Sequence, residues 1–149
     1  MTGEIQRWLR ELSNQLSLLD HHVGTRLQLR DVDLDCLDLI SQHGPISPSA
    51  LARRAGLHPA TMTGILDRLQ KAGWIARERD PEAADRRAVS VRARRERGGE
   101  ILRLYAGMNT ATKKLCATYD TDELAVIADF LRRTTEAGRD ATDALGASS

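Results

Sequence analysis

The chain has 149 residues, 41% of them hydrophobic and 29% charged, which suits one globular domain with a real but modest core. No apolar run approaches about 18 residues and no signal-peptide pattern is present, so a cytoplasmic protein with no membrane partner is expected. Aromatic content of 3% argues against a single-strand binder that works by base stacking, and the net charge of +1 is informative only through its distribution.

Ile5, Trp8, Leu9, Leu12, Leu16, Leu19, Val23 and Leu27 recur every three or four residues, the period of a long amphipathic helix. His21 and His22 are adjacent within it, so they fall on different faces and cannot by themselves form a metal site. Asp31, Asp33, Asp35 and Asp38 follow as an acidic cluster. In that stretch Cys36 falls on the oily side of the helix, where a buried structural thiol is the default.

Two short helices joined by a tight turn come next. Ser47 is a good N-cap, Pro48 suits the first helical position, Ile46 and Leu51 have the spacing of a hydrophobic staple, and Gly56 offers the stop. The signals repeat with His58 at the cap, Pro59 after it, Leu57 and Met62 as the staple pair, and Gly73 as the stop. On this second helix Met62, Ile65, Leu66 and Leu69 share one face. Ala60, Thr63, Gly64, Asp67 and Lys71 share the other, flanked by Thr61 and Arg68. Small residues near its N-terminal end let a helix backbone approach base edges, as expected of a recognition helix in a major groove.

Residues 74–79 then read as a strand and residues 88–92 as a second, alternating one, separated by a polar loop that opens on Asp80-Pro81. Arg86 and Arg87 in this hairpin suit the minor groove, where a thin cationic side chain meets concentrated negative potential, and Asp85 is placed to orient Arg87. Ile101, Leu104, Tyr105, Met108, Thr112 and Leu115 mark a fifth helix, with Cys116 near its end. A sixth begins near Asp120, where Glu123 is placed for a capping box, and continues through Leu124, Ile127 and Leu131. Long helices at both ends carry more apolar surface than one small module covers, which points to a homodimer.

Charge is sorted along the chain. Residues 44–97 hold 12 Lys and Arg against 6 Asp and Glu, a balance of +6, whereas residues 120–149 hold 3 against 7, a balance of −4. The positive charge therefore lies on the module expected to face DNA.

The run from Pro59 to Ile75, then Arg77-x-Arg79-Asp80-Pro81, Asp85-Arg86-Arg87 and a valine-rich strand, resembles the multiple antibiotic resistance regulator (MarR) family across about two thirds of the chain. Three features depart from that pattern. Gly64 stands where the family often has Arg, the wing is about two residues longer, and Ala93-Arg94 replaces a common Leu-Thr. The resemblance implies intertwined terminal helices forming a triangular homodimer, and a small-molecule cleft between those helices and the winged module. Trp8, His21, His22, Arg26 and Cys36 lie on helices that could line such a cleft.

The expected fold is mainly α with a small β-hairpin wing: a winged helix-turn-helix over about residues 31–97, flanked by dimerisation helices over about 2–28 and 98–145, all within a single domain. The expected function is a homodimeric regulator, a repressor of a pseudo-palindromic operator released by a small-molecule effector. Bases would face Ala60, Thr61, Thr63 and Gly64 at the start of a helix opened by Pro59, and phosphates would meet Arg68, Lys71 and the Ser47 end of the preceding helix. No nucleophile–base pair, metal spacing or phosphate-cradling glycine loop is present, so neither catalysis, a metal nor a cofactor is expected. Two other readings stay open: a winged-helix module that binds protein, and a thiol-based redox sensor using Cys36 or Cys116.

Overall fold

The computed structural model describes residues 1–79, 84 and 88–147. In order along the chain run α1 (Thr2–Leu27), α2 (Asp31–His43), α3 (Pro48–Ala55), α4 (Pro59–Lys71), β1 (Ile75–Arg79), β2 (Val89–Ala93), α5 (Arg95–Cys116) and α6 (Thr121–Ala147). The chain divides into two compact units, Met1–Tyr105 and Ala106–Ser149, and α5 is a continuous helix that begins in the first and ends in the second.

The punctuation read from the sequence is used. Ser47 Oγ accepts from the Ala50 N–H at 3.2 Å, and His58 Nδ1 accepts from the Ala60 N–H at 3.1 Å, so both helices of the pair have working side-chain caps. Gly56 and Gly73 adopt φ of +67° and +84°. Beyond each, a backbone N–H reaches back to an otherwise orphaned carbonyl, Leu57 to Ala52 and Trp74 to Leu69, both at 2.9 Å. Trp74 therefore belongs to the helix stop, and the first strand begins one residue later than its composition suggests. The capping box at the last helix also forms. Asp120 accepts from the Glu123 N–H at 2.8 Å, and Glu123 accepts from the Asp120 N–H at 2.9 Å.

β1 and β2 pair antiparallel, with Ile75 opposite Ala93, Arg77 opposite Val91 and Arg79 opposite Val89. Ile46 adds a bridge to Val91 through two backbone bonds of 3.0 and 2.7 Å, which ties the entrance of α3 to the hairpin. The residue read as a helix staple therefore also anchors the sheet.

One apolar cluster holds the first unit together. Cys36, Leu37 and Ile40 of α2 meet Leu51 of α3, Met62, Ile65, Leu66 and Leu69 of α4, and Trp74, Ile75 and Val91, all buried. Burying four large side chains from one face of α4 contributes about 1.5–3 kcal/mol each before the entropy of ordering is subtracted. That face cannot turn outward, so the opposite face must.

The terminal helices are different. Neither α5 nor α6 has a buried residue. α1 leaves Ile5, Trp8, Leu12 and Leu16 open, and Met1, Glu4, Ile5, Trp8, Leu9 and Leu12 line a shallow apolar cleft of about 430 Å³. Among the described residues no helix is long and apolar enough to cross a membrane.

Candidate nucleic-acid interface

The interface is built on the outward face of α4. Pro59, Ala60, Thr61, Thr63, Asp67 and Lys71 are exposed, whereas Met62, Ile65, Leu66 and Leu69 are at most 1% exposed. Thr63 returns its hydroxyl to the Pro59 carbonyl at 3.1 Å, which keeps the helix surface there low. A Cβ added at Gly64 meets only the Arg68 Nη1 atom, at 3.6 Å. Nothing inside the fold requires glycine at this position. A helix that spends about 1 kcal/mol of propensity there gains a face on which its backbone can be approached closely.

Two ion pairs set which charges this face offers. Arg77 lies on the inward side of β1, and its Nη2 donates to Asp67 Oδ1 at 2.8 Å, with a longer bond of 3.5 Å to the Thr63 carbonyl. Asp67, the acidic residue on the exposed face, is thereby neutralised from the wing side. Arg68 differs from its expectation. Its Nε and Nη2 donate to the two carboxylate oxygens of Asp33 at 3.0 and 2.8 Å, and that carboxylate is only 4% exposed. Leaving a buried carboxylate unpaired is costly, so the fork holds α4 against the start of α2, and its donors toward Asp33 are unavailable to a phosphate. The sequence carried no sign of this, because the partners stand 35 residues apart.

Lys71 on α4 and Arg53 and Arg54 on α3 remain exposed cations beside the site, and Ser47 stands exposed at the N-terminal end of α3. Arg92 is braced across the hairpin by Glu78 at 2.7 Å. Asp85, Arg86 and Arg87, the residues expected to act in the minor groove, lie outside the described residues.

The expected effector residues do not come together as one site. His21 Nδ1 lies 2.9 and 3.1 Å from the two oxygens of Asp31, while His22 and Arg26 are exposed on the same stretch of α1. Trp8 sits 13 residues earlier, about 20 Å along the helix. Cys36 is 1% exposed in the core. It also lines, with Val32, Asp35, Asp38, Leu39 and Arg54, a cleft of about 350 Å³ between α2 and α3. Asp20 of α1 adds to the acidic cluster and accepts the hydroxyl of Tyr105 of α5 at 2.6 Å. Burial foremost, and then the neighbouring carboxylates, raise the Asp35 and Asp38 carboxyls above the usual range. Burial and then the Asp20 bond raise the Tyr105 phenol. Among the described residues no group of three His, Cys, Asp or Glu is arranged to hold a metal ion.

Burial, and then the charges of Asp33 and Asp35, push the Cys36 thiol up to about 11. At neutral pH only about one molecule in 10⁴ would carry the thiolate, the form that reacts. Iodoacetamide at pH 7 is therefore expected to leave Cys36 unmodified in the folded protein and to modify it fully in denaturant, as read by peptide mass spectrometry. Native modification at the rate of a free cysteine would restore Cys36 as a redox candidate.

Comparisons with known proteins point to a family and a fold. Residues 29–89 match the family described as the MarR family. The chain is 31% identical over 127 residues to YcgE, an HTH-type transcriptional regulator of Bacillus subtilis strain 168, with 85% of this chain and 81% of that protein covered. Among solved structures, that of MarR is 26% identical at a TM-score of 0.58, covering 90% of this chain and 96% of the other. FabT of Streptococcus pneumoniae, solved in complex with DNA, is 21% identical at a TM-score of 0.66, covering 94% and 99%.

Proposed function

The chain belongs to the MarR family of DNA-binding transcriptional regulators, and we propose that it acts as a homodimeric repressor of a pseudo-palindromic operator, released by a small molecule. The observation that carries the DNA contact is α4 itself: one face entirely committed to the core, the other exposed, small and polar, with its single carboxylate neutralised by Arg77. Ala60, Thr61, Thr63 and Gly64 face bases at the end of the helix opened by Pro59. Lys71, Arg53 and Arg54 meet phosphates, and the Ser47 end of α3 offers its hydroxyl or amides to another. Arg68 serves this interface indirectly, through Asp33. In the wing, Arg87 enters the minor groove with Arg86 beside it, and Asp85 orients Arg87.

Supporting the homodimer are large apolar side chains left exposed on the terminal helices, among them Trp8 and Leu12 of α1, Leu102 and Leu115 of α5, and Val126 and Phe130 of α6. The FabT complex shows that a protein of this fold can sit on DNA. For the effector, the C-terminal half of α1 with His21, His22 and Arg26 is the proposed contact region. Cys36 belongs to the core behind it, and Trp8 belongs to the dimer face.

Arg87→Ala tests the wing. It is expected to cost about 1–3 kcal/mol of specific binding, roughly 5- to 150-fold, with no change in thermal melting. Arg139→Ala, on the acidic α6, is expected to change little. Gel-shift titrations giving equal losses at both positions would remove the wing from the interface.

A further inference from the structure

Arg97, in the first turn of α5, does not face outward like the arginines around it. Its guanidinium carbon lies 3.7 Å from the centroid of the Trp74 ring. Nη1 donates to the Ala72 carbonyl at 2.7 Å, and Nε donates to Glu100 Oε2 at 2.6 Å. Ala72 caps the C-terminal end of α4, where carbonyls lack helical partners and the helix dipole favours a cation. One planar side chain thus closes the end of α4, stacks on the buried tryptophan that follows it, and is braced from the next turn of its own helix.

The sequence at this point makes the clamp consequential. Gly98 and Gly99 follow directly, and a Cβ added at either meets nothing within 4 Å. Packing therefore does not explain the pair, and each glycine weakens the helix by about 1 kcal/mol against alanine. The Arg97–Glu100 bonds span both glycines. The α4 stop itself stands without Arg97, because Gly73 and Trp74 close it through backbone bonds to Gln70 and Leu69. What Arg97 adds is a fixed departure of α5 from the end of α4, stiffened across its weakest turn.

We propose that Arg97 is a positioning residue for specific DNA binding: through Ala72 and Trp74 it fixes α5 to the end of the α4 recognition helix, and so fixes the half-site separation that a dimer accepts. This rests on the homodimeric DNA-binding reading above. Without the clamp the Gly98-Gly99 turn becomes a hinge, and the penalty for a wrongly spaced operator falls because the hinge absorbs the error.

The test uses the full-length protein and duplexes selected by the wild type from a randomised pool, rebuilt with half-site centres one base pair closer or farther than the optimum of about 10 bp. Wild type is expected to bind one spacing best and to lose roughly tenfold or more at its neighbours. Arg97→Ala is expected to lose roughly tenfold at the optimum and to bind all spacings nearly alike, with little change in melting temperature. Arg97→Lys keeps the charge but not the fork or the stack, and is expected to behave like the alanine variant. Adding Gly98→Ala and Gly99→Ala to Arg97→Ala stiffens the hinge and is expected to recover part of the spacing preference. A wild-type profile in Arg97→Ala overturns the proposal, as does an equal loss at every spacing with no recovery, which would mark a plain phosphate contact. A wild type without any spacing preference overturns the dimeric operator reading as well, so the two failures are distinguishable.

Discussion

Raising salt from about 50 to about 200 mM is expected to weaken binding to duplex DNA by roughly 10³- to 10⁵-fold, the loss associated with six to ten neutralised phosphates. The net charge of +1 would not suggest this. Counterion release, however, depends on the charges at the contact surface rather than on the whole chain. In the proposed dimer each protomer would bring Arg53, Arg54 and Lys71 from the helix pair, together with Arg86 and Arg87. A dimer doubles that set and reaches the required number. The structure sharpens the expectation by separating the exposed Lys71 from Arg68, which Asp33 holds. Lys71→Gln is expected to lower the slope of log affinity against log salt by about 0.9 per protomer. Arg68→Gln is expected to act differently, lowering stability by stranding the Asp33 carboxylate while leaving the slope nearly unchanged. A chain ending at Leu145 is expected to keep the full slope, since residues 146–149 carry no charged side chain. A flat titration, or no binding to any duplex at low salt, would sink the DNA-binding reading for this surface.

The parts of the site legible in the sequence were those written in local chemistry. Caps at Ser47 and His58, stops at Gly56 and Gly73, and the 3.6-residue spacing of Met62, Ile65, Leu66 and Leu69 each involve residues a few positions apart. They defined α3, α4 and the outward face before any tertiary contact was known. What the sequence concealed were contacts between distant positions. Asp33 looked like one more residue in an acidic cluster, but its carboxylate is the buried partner of Arg68. Arg77 read as a strand residue, yet it neutralises Asp67 across the helix–sheet junction. Arg97 enters the sequence reading only through the charge count of residues 44–97, although its Nη1 and guanidinium face engage the end of α4 while Nε and Nη2 are held by Glu100. In each case the residue type announced a charge, and only the fold determined whether that charge was offered to a partner or spent inside. The effector residues show the same limit in reverse. Trp8, His21, His22, Arg26 and Cys36 share helices, but a shared helix does not bring side chains together when they stand several turns apart or on the core side.

Replacing both Leu9 and Leu12 with glutamate is expected to abolish dimerisation and with it nearly all operator affinity. The wild type should sediment at about twice 16.5 kDa, and the variant as single chains. The physical case starts from Trp8 and Leu12, 58% and 43% exposed on one side of α1, and from Val126, Ile127, Phe130 and Leu131 on α6. Apolar strips of this length on successive turns favour association, and two charges in the middle of one strip oppose it through desolvation. The loss of DNA binding then follows from symmetry. A specific dimer at an affinity on the order of 10⁻⁹ M gains about −12 kcal/mol across two half-sites. One half-site alone retains about half of that, an affinity on the order of 10⁻⁵ M, which is within reach of non-specific binding. The loss is therefore roughly 10⁴-fold even though no residue of the interface with DNA has changed. The substitutions lie on α1, away from the core of α2, α3, α4 and the hairpin, so thermal melting of the winged module should survive and should be measured alongside. A monodisperse single chain that still binds the operator at wild-type affinity would remove dimerisation from the mechanism, because one recognition helix and one wing would then account for the whole of the binding energy.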